Sequence, residues 1–290
     1  MKNYRFNMKM ILTALIVCLL AVSGNAQIHK SENVPISFYG KVVDQEGKPV
    51  IGAKVSFDFI ISHMAENRTE TTPMIMQTDQ DGRFLMTGVT GYGIDKVSIE
   101  KEGYELSPKT STGYVFGFNP DYKPNPNNPM VFKMWKKRGK EPLVGSAWHG
   151  KVACDGAAHR FDLSNGHPSA DGNFEITCLR TPVNLPPANI KPYTYKFQIT
   201  VIGGGIQATD DEFTYLAPET GYSPTLTYGQ TADDPKWDRR TPIPKEYYIK
   251  TANGHYGRLS ADWDVAFWQS PMILKWDCSI NPSGSRNLER

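Results

Sequence analysis

Three cysteines in the second half of the chain are the residues best suited to chemistry. Cys154, Cys178 and Cys278 each fall on the apolar side of a stretch in which apolar and polar residues alternate, so all three are predicted to point into a core. A disulfide between Cys154 and Cys178 would close a 25-residue loop. Buried free thiols are the alternative, and the sequence leaves both open. Cysteine catalysis is not predicted, because a reactive thiolate needs an exposed, electropositive setting.

Other polar clusters lack the spacing of a metal or phosphate site. The histidines between residues 149 and 167 lie near two of the cysteines, yet their spacings match no paired zinc-ligand pattern. The glycines at 203–205 are followed by neither a helix-forming pattern nor a lysine, so they do not predict a phosphate-binding loop. The sequence therefore predicts no metal site and no cofactor.

The tryptophans point to a binding surface. Five of the six lie beyond residue 147. Trp237 is placed in the charged stretch 233–240, so its ring is predicted to be partly exposed and to bind a polysaccharide or a protein partner. Trp276 alternates with Leu274 and Cys278 and is predicted to be core. Loop carboxylates in the same half leave a glycan-active hydrolase as the alternative, although no catalytic residue can be named from the sequence.

The first 26 residues have the form of a secretory signal peptide. Three basic residues in the first nine precede the apolar run Met10–Val22, and small residues follow at 23–26. This run of 13 residues is shorter than the roughly 20 that span a bilayer. Cleavage is predicted to leave Gln27 as the new N-terminus, and the protein is expected to be secreted, periplasmic or attached to the cell surface.

The charge balance excludes some classes of partner. Without residues 1–26 the chain keeps 29 basic and 30 acidic residues, a net charge of −1. A protein so close to neutral is a poor candidate for binding nucleic acid or an anionic membrane surface. No second apolar stretch approaches spanning length, so no transmembrane segment is predicted in the mature chain.

Alternation with a period of two residues recurs along the chain and predicts strands. Clear examples are Ala53–Phe59, Thr194–Val201 and Met272–Ile280, the last with Ile273 as an apolar exception. Twenty-one prolines interrupt any longer helical pattern. The sequence therefore predicts an all-β protein with two β-sandwich domains, at residues 27–137 and 145–290, joined by a linker at 138–144.

Several segments resemble the carboxypeptidase regulatory-like domain, a small transthyretin- or immunoglobulin-like β-sandwich. The matching segments of the first domain are 40–55, 78–84 and 101–104. Further segments, at 203–206, 211–213, 217–222 and 281–289, resemble landmarks of a bacterial group of secreted proteins that carry this domain. The resemblance implies export and a domain that accompanies an enzyme or a surface protein. It implies no peptidase activity, and no site residue is carried over.

Together these observations predict an exported, non-catalytic binding or structural module that recognises a polysaccharide or a protein at the cell surface. A secreted hydrolase that uses loop carboxylates of the second domain remains the alternative.

Overall fold

The computed structural model of the protein describes residues 32–118, 120–181, 192–238, 243–263 and 271–289, and regular structure in these ranges is nearly all β-strand. One short 3₁₀ helix is present in these ranges, at Met64–Glu66. The described residues contain no helix long and apolar enough to cross a membrane. The predicted all-β fold class is confirmed, whereas the predicted signal peptide lies outside the described residues. The strands are β1 Val34–Asp44, β2 Lys54–His63, β3 Arg68–Gln77, β4 Arg83–Gly91, β5 Gly93–Glu100, β6 Tyr104–Leu106, β7 Tyr114–Val115, β8 Met130–Lys136, β9 Val144–Val152, β10 Asp155–Phe161, β11 Phe174–Arg180, β12 Tyr195–Val201, β13 Gly205–Thr209, β14 Thr225–Gln230, β15 Glu246–Lys250, β16 Tyr256–Trp263 and β17 Met272–Ile280.

The described residues divide into two compact units, each assembled from separate stretches of chain. The first unit contains the residues up to Val43, Pro49–Glu100 and Ser111–Phe132. The second contains Asp44–Lys48, Lys101–Thr110 and the residues from Lys133 onward. The domain boundaries inferred from the sequence, with a linker at 138–144, stay a prediction.

In the first unit, β1 pairs with β4 in one antiparallel sheet, and the order β3-β2-β5-β7 forms a second, four-stranded antiparallel sheet. The alternation predicted for residues 53–59 is realised in β2, where Val55, Phe57 and Phe59 are buried. In the first unit, Phe38 on β1 and Tyr114 on β7 belong to different sheets, and their ring centroids lie 4.9 Å apart. The two sheets therefore enclose an aromatic core.

A tight turn before β4 is closed by an aspartate and a glycine. Asp79 Oδ1 accepts hydrogen bonds from the backbone N–H groups of Asp81 at 2.9 Å and Arg83 at 2.8 Å. Gly82 has φ +70°, and a Cβ at this position would lie only 2.4 Å from the carbonyl oxygen of Val42. Only glycine fits both the left-handed backbone and this close approach.

The second unit holds a β-sandwich with sheets of order β10-β11-β12-β14 and β13-β15-β16-β17-β9. Phe174 of β11 and Trp276 of β17 lie in opposite sheets with ring centroids 5.6 Å apart, so the sheets pack face to face. β17 alternates as predicted: Trp276 is fully buried, whereas the apolar exception Ile273 is 46% exposed on the outer face. The residues that line the two concave surfaces considered as candidate sites all belong to the second unit.

Candidate functional site

A groove of about 640 Å³ runs along one side of the sandwich in the second unit, and we call it the edge groove. β9 is the outermost strand of one sheet and β10 the outermost strand of the other, and two residues connect them. The ring centroids of Trp148 on β9 and Phe161 on β10 lie 4.8 Å apart, so the two edge strands are neighbours there. The groove is lined by Trp148, residues 151–152, residues 158–161 of β10 and residues 168–170.

The indole of Trp148 is seated in the groove because its neighbour on the same face has no side chain. Trp148 pairs with the buried Trp276 and therefore faces the interior side of the sheet, yet on this outermost strand it stays partly exposed. A Cβ built on Gly150 would lie 2.5 Å from the Trp148 ring, well inside contact distance. The indole thus lies over the bare backbone of Gly150, and any larger residue at 150 would displace it.

Polar residues also line the edge groove. His159 on β10 is half-buried opposite Ile176, and its Nε2 is buried without a hydrogen-bond partner among the described residues. Arg160 is exposed, with Nε 2.7 Å from a carboxylate oxygen of Glu175. Lys151 is exposed as well. The edge groove therefore combines one partly exposed aromatic ring with the exposed cationic side chains of Arg160 and Lys151 in its lining.

A second concavity in this unit, of about 360 Å³, is lined by carboxylates, and we call it the acidic pocket. Its four carboxylates each accept a hydrogen bond from a hydroxyl group of the protein. These pairs are Glu105 with Tyr215 at 2.5 Å, Asp211 with Tyr248 at 2.8 Å, Glu246 with Ser260 at 2.8 Å, and Glu212 with Ser107. The carboxylates are therefore engaged within the protein.

The electrostatics of Glu212 do not suit a proton donor. The hydrogen bond from Ser107, followed by the Lys133 ammonium 3.4 Å away, holds the pKa of this carboxyl below its usual value, against the opposing effect of burial. A glycosidase acid needs the opposite shift, because it must keep its proton at neutral pH. Within the described residues, no three His, Cys, Asp or Glu side chains are placed to hold a metal ion together.

Trp237, the binding residue predicted from the sequence, lies outside the lining of both concavities. Its ring is half-buried against the core of the second unit. The indole N–H donates to the carbonyl oxygen of Tyr193 at 2.9 Å, and the two rings meet edge to face with centroids 5.1 Å apart. These contacts give Trp237 a packing role, and its role in ligand binding stays a prediction.

The structure brings together the two cysteines that the sequence offered as a disulfide pair. The Sγ atoms of Cys154 and Cys178 lie 2.8 Å apart as thiols, and both residues are buried. Cys278 is buried on β17, in the opposite sheet.

Trp148 and Gly150 are the site residues that sequence reasoning did not single out. The signal was the pattern Trp148-His149-Gly150-Lys151, in which alternation puts the tryptophan and the glycine on one face. A glycine two residues away from a tryptophan, on the same face of a strand, leaves bare backbone against which the indole ring can pack. That signal becomes informative only when β9 is known to be an edge strand.

Comparisons with known proteins show no family for this chain. No protein-family model and no curated protein matches the chain. Among solved structures, the chain is similar to a mutant of the shaft pilin SpaA from Lactobacillus rhamnosus GG, with 10% sequence identity over 69% of this chain and 95% of the pilin chain. The TM-score of this match is 0.24, too low to carry an argument about function.

Proposed function

We propose that this protein is an exported, non-catalytic binding module that recognises a polysaccharide through the edge groove. The single observation that supports it most directly is the partly exposed indole of Trp148, seated over Gly150 in a groove that polar residues also line. The proposal includes the signal peptide at residues 1–26, a carboxypeptidase regulatory-like domain at 27–137 and a second β-sandwich domain at 145–290.

The chemistry of the groove favours a sugar polymer. One face of a pyranose ring is largely C–H and packs against an aromatic ring, while its hydroxyl groups need hydrogen-bond partners. Trp148 offers the ring, and the exposed side chains of Arg160 and Lys151 offer hydrogen-bond donors in the lining of the groove. A groove at the open edge of a sandwich can also accept a chain that continues in both directions.

The hydrolase alternative finds less support in the acidic pocket. Glycoside hydrolysis uses one carboxyl as an acid and a second as a base or nucleophile. In the acidic pocket the pKa of Glu212 is shifted downward, and each of the four carboxylates is occupied by a protein hydroxyl. These hydrogen bonds stabilise the four carboxylates in their charged form and favour a structural role for these side chains.

The proposal is tested by glycan-array binding of the wild-type chain, followed by calorimetry with the polysaccharide that binds. We expect Trp148→Ala to weaken affinity about tenfold or more, as is usual for a buried aromatic contact in an interface. Gly150→Ala should weaken it too, because the new methyl group would displace the indole. Trp237→Ala is the matched control and should leave affinity unchanged if the edge groove is the site.

The possible outcomes distinguish the edge groove from the Trp237 loop as the binding site, and a binding module from a hydrolase. Loss of binding in Trp237→Ala with normal binding in Trp148→Ala would assign the site to the loop predicted from sequence. Absence of any glycan binding by the wild-type chain would overturn the proposed function. Release of reducing sugar ends from a bound polysaccharide would establish the hydrolase alternative. Melting curves of each variant show whether lost binding reflects lost folding.

Export is tested separately. Material recovered from the periplasm or the medium of producing bacterial cells should begin at or near Gln27, because the small residues at 23–26 suit signal-peptide cleavage. N-terminal sequencing gives the answer directly. A protein that keeps Met1 and stays in the cytoplasm would contradict the prediction.

A further inference from the structure

The two close cysteines occupy one face of the sheet that forms a wall of the edge groove. The backbone N–H of Arg180 donates to the carbonyl oxygen of Cys154 at 3.2 Å, which places Cys154 opposite Arg180 at the end of β11. Cys178 stands two residues before Arg180, and both are buried, so the two cysteines point to the same interior. Cys154 is 7% exposed and Cys178 is fully buried.

We propose that Cys154 and Cys178 are a site of disulfide formation, and that this bond locks the β10 wall of the edge groove. Their Sγ atoms are 2.8 Å apart, and a disulfide needs them at about 2.05 Å. The 25-residue loop that the bond closes contains all of β10 and the segment 168–170. Every groove-lining residue other than Trp148 and residues 151–152 therefore lies inside this loop.

The surroundings of the pair give the two sulfurs different roles. The hydrogen bond from the Cys178 thiol lowers the pKa of Cys154 to about 7, and the nearby positive charge of Arg180 acts in the same direction. The hydrogen bond to Cys154 and burial raise the pKa of Cys178. Cys154 is also the less buried of the two, so it is the sulfur that a disulfide donor reaches first as the chain folds. Burial raises the pKa of Cys278 to about 12, which makes it a poor nucleophile.

The reaction is thiol–disulfide exchange with a disulfide donor, either oxidised glutathione or a disulfide-bearing oxidase. The Cys154 thiolate attacks one sulfur of the donor, the donor S–S bond breaks, and one thiol leaves. Cys178 then gives up its proton and attacks the Cys154 sulfur, and the second donor thiol leaves. Two protein thiols are oxidised, and one donor disulfide is reduced to two thiols. Because Cys154 is nearly inaccessible in the folded state, we expect the bond to form during folding.

The test uses the full chain, refolded from denaturant with oxidised and reduced glutathione. We expect a mass loss of about 2 Da, two fewer titratable thiols in denaturant, and one cross-linked peptide joining Cys154 to Cys178. Cys278→Ser should behave as the wild type does. Cys154→Ser and Cys178→Ser should lose the cross-link. Peptide mapping of the wild type decides the question even if a variant fails to fold.

Two further measurements test the effect on the groove without any ligand. Reduction should lower the Tm of the wild type by about 5–15 °C and leave the Tm of Cys154→Ser unchanged. It should also speed hydrogen exchange in peptides covering β10, while peptides covering β17 change little. A cross-link that involves Cys278, or free alkylation of both Cys154 and Cys178 after oxidative refolding, would overturn the site. A cross-link without faster exchange in β10 on reduction would overturn its effect on the groove wall.

Discussion

Replacing Trp276 by alanine is expected to lower the free energy of unfolding by about 3–5 kcal/mol, the usual cost of truncating a large buried aromatic residue. Trp276 is fully buried on β17. Its ring meets Phe174 and Phe161 edge to face at centroid distances of 5.6 and 6.2 Å, so the side chain joins both sheets of the sandwich. Truncation leaves a cavity between the two sheets, and the neighbouring Phe174 and Phe161 rings cannot fill it. Urea unfolding followed by circular dichroism measures the loss and does not depend on tryptophan fluorescence.

Two further variants distinguish the loss of packing from other effects of replacing Trp276. Trp276 Nε1 is buried without a hydrogen-bond partner among the described residues. Trp276→Phe removes this unsatisfied group and keeps most of the ring, so we expect it to cost only about 1 kcal/mol. Ile273→Ala, on the outer face of the same strand, should have little effect because Ile273 is 46% exposed. If Trp276→Ala unfolded at the wild-type urea concentration, the placement of Trp276 between the sheets would be wrong.

The burial of Trp276 could be predicted because it depends on local pattern alone. When one face of a strand is buried, the alternation along residues 272–280 permits a single orientation, and a slip by one residue would bury Lys275 and Asp277. The same reasoning predicted β2 from residues 53–59. Strand existence and facing therefore follow from neighbouring residues in the chain.

The edge groove could not be predicted in this way. Its geometry depends on β9 and β10 being outermost strands on the same side of the sandwich, and strand order is set by pairings between distant segments. The sequence placed Trp148 on a strand but did not show that this strand lacks an outer neighbour. A tryptophan on a central strand would have been core.

The proximity of the two cysteines could not be predicted from the sequence either, although they lie closer together in the chain. Alternation placed Cys154 and Cys178 in the interior, but their proximity depends on how β10 pairs with β11. That pairing contains a register shift between Asp155 and Ala158, where β10 has one residue more than its partner strand. A bulge of this kind is not visible in the apolar pattern, so the sequence left bridge and free thiols equally open.

Glu289 is a buried acidic residue whose partners the sequence did not predict. It is 4% exposed, and its carboxylate accepts three hydrogen bonds. Trp135 Nε1 and the backbone N–H of Arg138 donate to Oε1 at 2.6 and 2.7 Å, and the backbone N–H of Gly139 donates to Oε2 at 3.0 Å. The Arg138 guanidinium also lies 5.4 Å from the centre of the Trp135 ring. Residues 138 and 139, predicted to begin a linker, are thus bonded to a residue about 150 positions later in the chain.

Glu289→Ala should therefore lower the free energy of unfolding by about 2–4 kcal/mol, because it leaves the buried indole N–H of Trp135 without an acceptor and removes two further hydrogen bonds, from the backbone N–H groups of Arg138 and Gly139. Glu289→Gln separates the contributions of the two oxygens. Its amide oxygen can still accept from Trp135 and Arg138, but its amide nitrogen faces the N–H of Gly139 as a second donor, so we expect an intermediate loss of about 1–2 kcal/mol.

Glu219→Ala is the control, since the Glu219–Arg286 ion pair at 3.2 Å is exposed and such pairs contribute about 0–1 kcal/mol. Urea unfolding should rank the variants Ala, Gln and control in order of decreasing loss. Equal stability of Glu289→Ala and Glu219→Ala would show that the three hydrogen bonds to Glu289 do not hold this segment in place.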